Sequence, residues 1–195
     1  AGRIDARTPT EHSEQTVTSI IHITAAPEMV FDRLADVRGI QPDELGFTFV
    51  HLIGLPRPIE ADMNGSGKGS VRTSRWEKNV SSQEVTTEWQ RPLSMHYRFV
   101  FPPGAIPRDA LDRHVEIGGE YFDIIDGGYD LSRTPNGETD LSLTTRFVNK
   151  SKLKLYGDVW GRLVLSDFHR SILGLMKGRS ERANAASKSL GQDRL

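Results

Sequence analysis

Two charged side chains and a set of aromatic ones carry the chemistry this sequence can offer. Arg75 and Glu84, with Glu77 and Glu88, fall on a stretch that reads as a β-hairpin. Opposed charges on adjacent strands commonly form surface pairs worth roughly 0–1 kcal/mol. The functional alternative is an Arg–Glu pair at one end of a cavity, orienting the polar head of a ligand, since a buried charge persists only when paired. Tyr97, Phe99, Phe101, Tyr121, Tyr129, Phe147, Trp160 and Phe168 are spread over strands and a helix that should face one another. Aromatic and aliphatic walls with few polar groups suit an apolar ligand. The same residues also pack as plain core. The two readings differ in the void left between sheet and helix.

The remaining reactive types make no constellation. The six histidines are His12, His22, His51, His96, His114 and His169, and none forms an HxH or HExxH pair, so no metal site is expected. His22 and His51 read as ordinary residues of separate strands, and His169 is flanked by charges that suggest an exposed edge. The run Asn64-Gly65-Ser66-Gly67-Lys68-Gly69-Ser70 invites a phosphate loop, but Lys68 is followed by Gly69 rather than Ser or Thr. It reads as a turn entering a strand. No Ser–His–Asp order and no GxSxG elbow is found, so no catalytic residue is assigned. The chain has no cysteine, which excludes disulfides, thiolate metal sites and a Cys nucleophile. No cofactor is expected.

Composition bounds the rest. A chain of 195 residues with 36% hydrophobic and 26% charged residues is most simply one domain with tails. A net charge of -1 provides no field to draw nucleic acid. Lys177, Arg179, Arg182, Lys188 and Arg194 gather near the C-terminus, where cations suit the end of a helix. No apolar run approaches the roughly 18 residues of a membrane span. The sequence starts at Ala1 rather than Met. The expectation is a cytoplasmic protein, or the soluble domain of a membrane-associated one anchored by a segment outside this chain.

Periodicity places these residues. The segments Val17–Thr24, Phe47–Ile53, Gly69–Lys78, Ser82–Gln90, Leu93–Phe101, Gly119–Ser132 and Thr139–Val148 read as strands. A hairpin is expected around Asn79 and a bulge at Gly127-Gly128. Pro27 to Val37 reads as a helix with Val30, Phe31, Leu34 and Val37 on one face. Gly54–Gly67 and Pro102–His114 read as loops, and Pro42–Leu45 as a short helical turn. Between Leu153 and Arg182, Trp160, Leu163, Val164, Phe168, Ile172, Leu175 and Met176 make one long apolar stripe. Gly161 and Gly174 on that helix suggest either space or close packing. Strands joined by short turns should pair antiparallel, and helices kept to one side make an α+β fold.

With the elements in place, the opening SIIHITAAPEMVFDRLADV resembles the strand-to-helix start of the START-like, polyketide cyclase–Bet v 1-like superfamily. SRWEKNVSSQEVTTEWQRPLSMHYRF is similar to its central strands, through Glu84, Val85, Thr86, Trp89 and Pro92. YGDVWGRLVLSDFHRSILGLMKGRSE resembles its closing helix. The resemblance covers roughly Val17 to Glu181 and implies a helix-grip fold with a cavity between sheet and helix. It does not select among the lipid carriers, receptors, cyclases and activators that share the fold. No Rieske cysteines, iron motif or distinct cyclase signature accompanies it.

The expected architecture is a curved seven-stranded antiparallel sheet wrapped around a long C-terminal helix. An N-terminal arm spans 1–16, the domain 17–182 and a tail 183–195. The expected function is binding of a small hydrophobic or amphipathic ligand, lipid-like or polyketide-like. Tyr97, Phe99, Tyr121, Phe147, Trp160, Val164 and Phe168 would line its cavity, with Arg75 and Glu84 as polar contacts. The alternatives are a cyclase/dehydratase-type enzyme on the same cavity, and an interaction domain of a larger membrane-tethered protein.

Overall fold

The computed structural model describes residues 13–111, 122–151 and 154–192. The chain opens with β1 (Ser13–Ile23), which buries Val17 and Ile23 and exposes Thr18, Ile20 and His22. That alternation marks a half-covered strand. Helix α1 (Pro27–Ala35) follows. Pro27 presets its first turn, Glu28 suits the positive end, and Val30, Phe31 and Leu34 form its buried face. A 3-10 turn at Pro42–Leu45 is held by a capping box between Gln41 and Glu44. Next come α2 (Phe49–Leu52), β2 (Pro58–Asn64), β3 (Val71–Trp76), β4 (Ser81–Gln90), β5 (Ser94–Val100), β6 (Phe122–Arg133) and β7 (Thr139–Asn149). The chain closes with α3 (Lys154–Gln192).

The seven strands form one sheet in the order β1-β7-β6-β5-β4-β3-β2. Every neighbouring pair is antiparallel. The sheet curves, and α3 and α1 cover its concave side in the α+β helix-grip arrangement. At 39 residues α3 is about 58 Å long. Among the described residues no helix is long and apolar enough to cross a membrane.

Several elements differ from the sequence reading. Phe47–Ile53, expected as a strand, holds α2 instead. A short apolar run fits strand and helix alike, and this one stays out of the seven-stranded sheet and is tied to α3 through the Val50 amide and Asp167. The expected loop Gly54–Gly67 contains β2. An edge strand that starts with a proline and carries Glu60 and Asp62 looks like a loop because edges are protected by such residues. The β6 irregularity falls between Ile124 and Asp126, not at the glycine pair. Gly127 and Gly128 instead lie opposite Tyr97 and His96 of β5, whose rings occupy the space a Cβ would need. Strand β1 begins at Ser13 and α3 reaches Gln192, so the elements pass the boundaries at 17 and 182.

The helix stripe is also shifted. Leu163 is 58% exposed, while Gly161, Val164, Leu165, His169, Leu173 and Met176 form the covered face. The core divides in two. Near α1, the residues Ile23, Val30, Phe31, Leu34, Leu141, Leu173 and Leu175 pack together. At the other end Val17, Phe147 and Leu165 meet under Phe122. His169 lies on α3 four residues after Leu165 and four before Leu173, and it is fully buried. Its Nε2 shares a 2.9 Å hydrogen bond with the Thr145 hydroxyl on β7, and Nδ1 a 3.2 Å contact with the Ser19 hydroxyl on β1. The exposed edge expected for His169 is therefore corrected: its charged neighbours Asp167 and Arg170 point away while the imidazole fastens helix to sheet.

Candidate functional site

Beneath α3 the sheet leaves a cavity. Arg72, Ser74 and Trp76 of β3, Glu84 of β4, Tyr97 and Phe99 of β5, Tyr129 of β6 and Thr145 of β7 form its floor. Phe168, Ile172, Leu175 and Met176 of α3 form its roof, and Val37 and Ile40 close one side. The cavity volume is about 80 Å³. That is well below the few hundred Å³ of small-molecule pockets, so a ligand bigger than a handful of waters enters by moving side chains. Met176, unbranched and adaptable, is well suited to that.

The polar end of this cavity is built by strand register. A 3-10 turn at Glu77–Asn79, with Lys78 and Asn79 at φ near +58° and +57°, joins β3 to β4 and sets Arg72 directly opposite Glu84. Both side chains are buried. Arg72 donates from Nε to Glu84 Oε2 at 2.8 Å and from Nη2 to the same oxygen, while Nη1 donates to the Leu34 carbonyl. The Ser74 hydroxyl donates to Glu84 Oε1 at 2.8 Å. The guanidinium also lies 5.2 Å from the ring centre of Tyr97 and 5.6 Å from that of Tyr129, within cation–π range. Burial alone would make Arg72 a weaker base, but the Glu84 carboxylate more than offsets it and holds the cation firmly protonated. Burial pushes the Tyr97 phenol well above its usual value and raises that of Tyr129, so both stay protonated at neutral pH. The polar end is therefore rich in hydrogen-bonding groups, with its guanidinium and carboxylate bonded to each other.

Of the residues the sequence pointed to, Tyr97, Phe99, Glu84 and Phe168 line this space. Phe147 does not: it is fully buried in the second core cluster, against Phe122 and under Gly161. Trp160 stacks edge-on against Phe49 at 6.0 Å, on the outer side of α3. Val164 is buried but lies outside the cavity lining. Tyr121 lies outside the described residues. Arg75 points away from the cavity and pairs with Glu60 and Asp62 of the edge strand. The buried Arg–Glu pair exists, but Arg72 supplies its cation. The signal was available in the sequence: strand alternation puts Arg72, Ser74 and Trp76 on one face and Arg75 on the other. Trp76 stacks on Phe168 at 5.4 Å and covers the cavity's outer end.

The other histidines serve separate contacts. His22 is held between Asp140 Oδ1 at 2.8 Å and Glu138 Oε2 at 2.9 Å on the sheet surface, and those hydrogen bonds raise its pKa. His51 sits in α2, with Nδ1 3.2 Å from the Leu55 carbonyl, so it is neither a strand residue nor a neighbour of His22. His96 lies between Glu88 and Asp130, on the sheet face away from the cavity. His12 and His114 lie outside the described residues.

No protein-family model matches the chain, and no curated protein does either. Solved structures do. The solution structure of the KanY protein superposes with a TM-score of 0.52 at 12% identity, over 87% of this chain and 99% of that one. The crystal structure of the di-domain ARO/CYC BexL, from the BE-7585A biosynthetic pathway, gives 0.51 at 15% identity, over 86% of this chain and 50% of that one. Ara h 8.0201 gives 0.48 at 13% identity, over 86% of this chain and 98% of that one. At such identities the likeness reaches the fold and stops there: the chain shares the helix-grip architecture of KanY and BexL.

Proposed function

We propose that this protein binds a small hydrophobic or amphipathic molecule in the cavity between the sheet and α3. The observation that carries the reading is the Arg72–Glu84 pair, buried in a mostly apolar wall beside two phenols. Replacing a buried ion pair by well-packed apolar residues is commonly neutral or stabilising. A pair retained at a cavity wall offers more than stability: it presents fixed donors and acceptors to a ligand's polar group. The aromatic and aliphatic remainder of the lining supplies the apolar contact area. Because the ion pair is internally compensated, a ligand whose polar group is uncharged, such as a hydroxyl or carbonyl, suits it better than a carboxylate. An anion would face Glu84 and a cation would face Arg72. The superfamily fold is compatible with this reading.

A second reading, an enzyme of the cyclase/dehydratase type on the same cavity, draws support from Tyr97 and Tyr129. Their phenols are buried, protonated and next to a guanidinium, so either could donate a proton to a bound carbonyl. One experiment addresses both readings. Native mass spectrometry of the purified protein should show a co-purified molecule of a few hundred daltons or saturable uptake of a neutral aromatic probe such as 1-naphthol. A bound molecule recovered unchanged supports the carrier, and turnover of an added polyketone supports the enzyme. Neither a co-purified molecule nor saturable uptake would overturn both.

A further inference from the structure

A cavity of about 80 Å³ admits a small molecule only if part of its wall moves. One part of the wall is built for that. Trp76 of β3 and Phe168 of α3 close the outer end with rings 5.4 Å apart, and both side chains are only half-buried. Each stands next in sequence to a residue that holds the segment 47–57. Asp167, beside Phe168, accepts the Val50 amide at 2.9 Å. Glu77, beside Trp76, accepts the Arg57 amide at 3.1 Å and donates its own amide to the Arg57 carbonyl at 2.9 Å. Lys78 Nζ adds a 2.6 Å bond to the Gly54 carbonyl. Pro58, where the segment ends, lines the cavity itself.

The segment is organised to move as one body. Its backbone bonds close on themselves, from the Ile53 amide to the Phe49 carbonyl and from the Leu55 amide to the Val50 carbonyl, both at 3.0 Å. It leaves the rest of the chain at Gly46, whose φ of +65° favours a glycine. The chain just before that glycine is fixed, since the Leu45 carbonyl accepts the Ser171 hydroxyl at 3.0 Å. Opposed terms hold the closed position. Val50 is fully buried, which favours closure. Thr48 Oγ1 and His51 Nε2 are buried without a hydrogen-bond partner among the described residues, which favours opening to water. His51 Nδ1 donates to the Leu55 carbonyl at 3.2 Å, inside the segment, so it does nothing to secure the segment to its surroundings.

We propose that residues 47–57 are a gate over the outer end of the cavity, latched by Asp167 and Glu77, and that a ligand enters between Trp76 and Phe168 when the latches release. The gate rests on the reading of the cavity as a ligand site. Asp167 and Glu77 lie outside the cavity lining and act as positioning residues. They hold the gate shut in the empty and in the filled protein, so losing a latch raises the rates of uptake and release by the same factor and leaves Kd unchanged.

Two measurements test this on the whole chain. The first is amide hydrogen exchange without ligand. The Val50 and Leu55 amides should exchange together and faster than those of β7, and Asp167→Ala should speed both by about tenfold without affecting β7. The second is stopped-flow fluorescence of 1-naphthol uptake and release. Asp167→Ala should raise both rates by about tenfold, and Glu77→Ala by several-fold. Asp167→Asn keeps an acceptor for the Val50 amide and should restore rates near those of the wild type. Circular dichroism checks that each variant is folded. Protection of 47–57 equal to that of β7 overturns the gate, whatever the cavity binds. Unchanged rates in Asp167→Ala, or a change in Kd through release alone, overturn it while the ligand site stands. No uptake by the wild type overturns the ligand site and the gate's role as its entrance, with hydrogen exchange still reading whether the segment opens.

Discussion

His169 and Glu84 are polar side chains buried by the fold and held there by hydrogen bonds. Burial pushes the His169 imidazole down to about 4, so it is neutral between its two hydroxyl partners at pH 7. The unfolded chain takes up that proton near pH 6.5, so it binds more protons than the native state over the interval between the two values. Stability should therefore be full above about pH 6.5 and fall as pH drops toward 4, by an amount on the order of 3 kcal/mol. Glu44 acts in a lower window: hydrogen bonds from Arg179 hold its carboxyl at about 2, so its contribution, present above about 4.5, is lost between 4.5 and 2. His22 runs the other way, since its raised pKa favours the fold at low pH. Urea unfolding from pH 7 to 4 on the wild type and His169→Gln isolates the His169 component, whose slope should vanish in the variant. Glu84→Gln removes the only carboxylate that Arg72 contacts among the described residues and should cost about 3–5 kcal/mol, whereas Arg72→Met with Glu84→Leu should fold with near-native stability. A double variant as unstable as the single one would contradict that account of the pair.

At the scale of elements, two glycines of α3 make the contrast between packing and space measurable. A Cβ at Gly161 would sit 2.7 Å from Phe147 Cε2, so the residue lets the helix lie directly on a core ring. Gly174 has nothing within 4 Å of that position and is exposed. Gly161→Ala should destabilise by about 1–3 kcal/mol through overpacking. Gly174→Ala should stabilise by up to about 1 kcal/mol through helix propensity alone. Thermal unfolding of the two variants checks both signs. Of the two readings the sequence left open, Gly161 is a case of close packing, and Gly174 faces open space on the exposed side of the helix. Helix α2 is lightly secured: among the described residues Thr48 Oγ1 and His51 Nε2 are buried without a hydrogen-bond partner, and the helix spans Phe49–Leu52 only. Such an element opens at low cost.

For the molecule as a whole, the ion pair and the void belong to one arrangement. Helix α3 meets the sheet along β1 and β7, and Phe168 and Met176 lie over the cavity whose floor includes Arg72, Glu84 and Tyr97. Filling that gap should trade function for stability. Phe168→Trp enlarges a roof residue and is expected to abolish saturable uptake of 1-naphthol. The wild type with ligand at a hundredfold its Kd should gain about 2.7 kcal/mol. Calorimetry on both proteins reads the two effects, and equal ligand stabilisation in the variant would place binding elsewhere.

Much of this was legible in the chain itself. Strict alternation from Thr139 to Val148 and the two helical stripes specify element type, because period and burial are coupled locally. An antiparallel sheet closed by a long helix follows from their order. Local pattern failed where an element lacked a covered face: β2 at the sheet edge and α2 on the surface have no periodicity to display. The site depended on register. Whether Arg72 or Arg75 faces Glu84 turns on register: across the turn through Lys78 and Asn79, Arg72 is paired with Glu84 and Arg75 with Ser81. The void, the neutralised Arg72 and the buried His169 arise from chain segments brought together across the sheet. Sequence supplied the parts and their faces, and tertiary packing alone decided which of them meet.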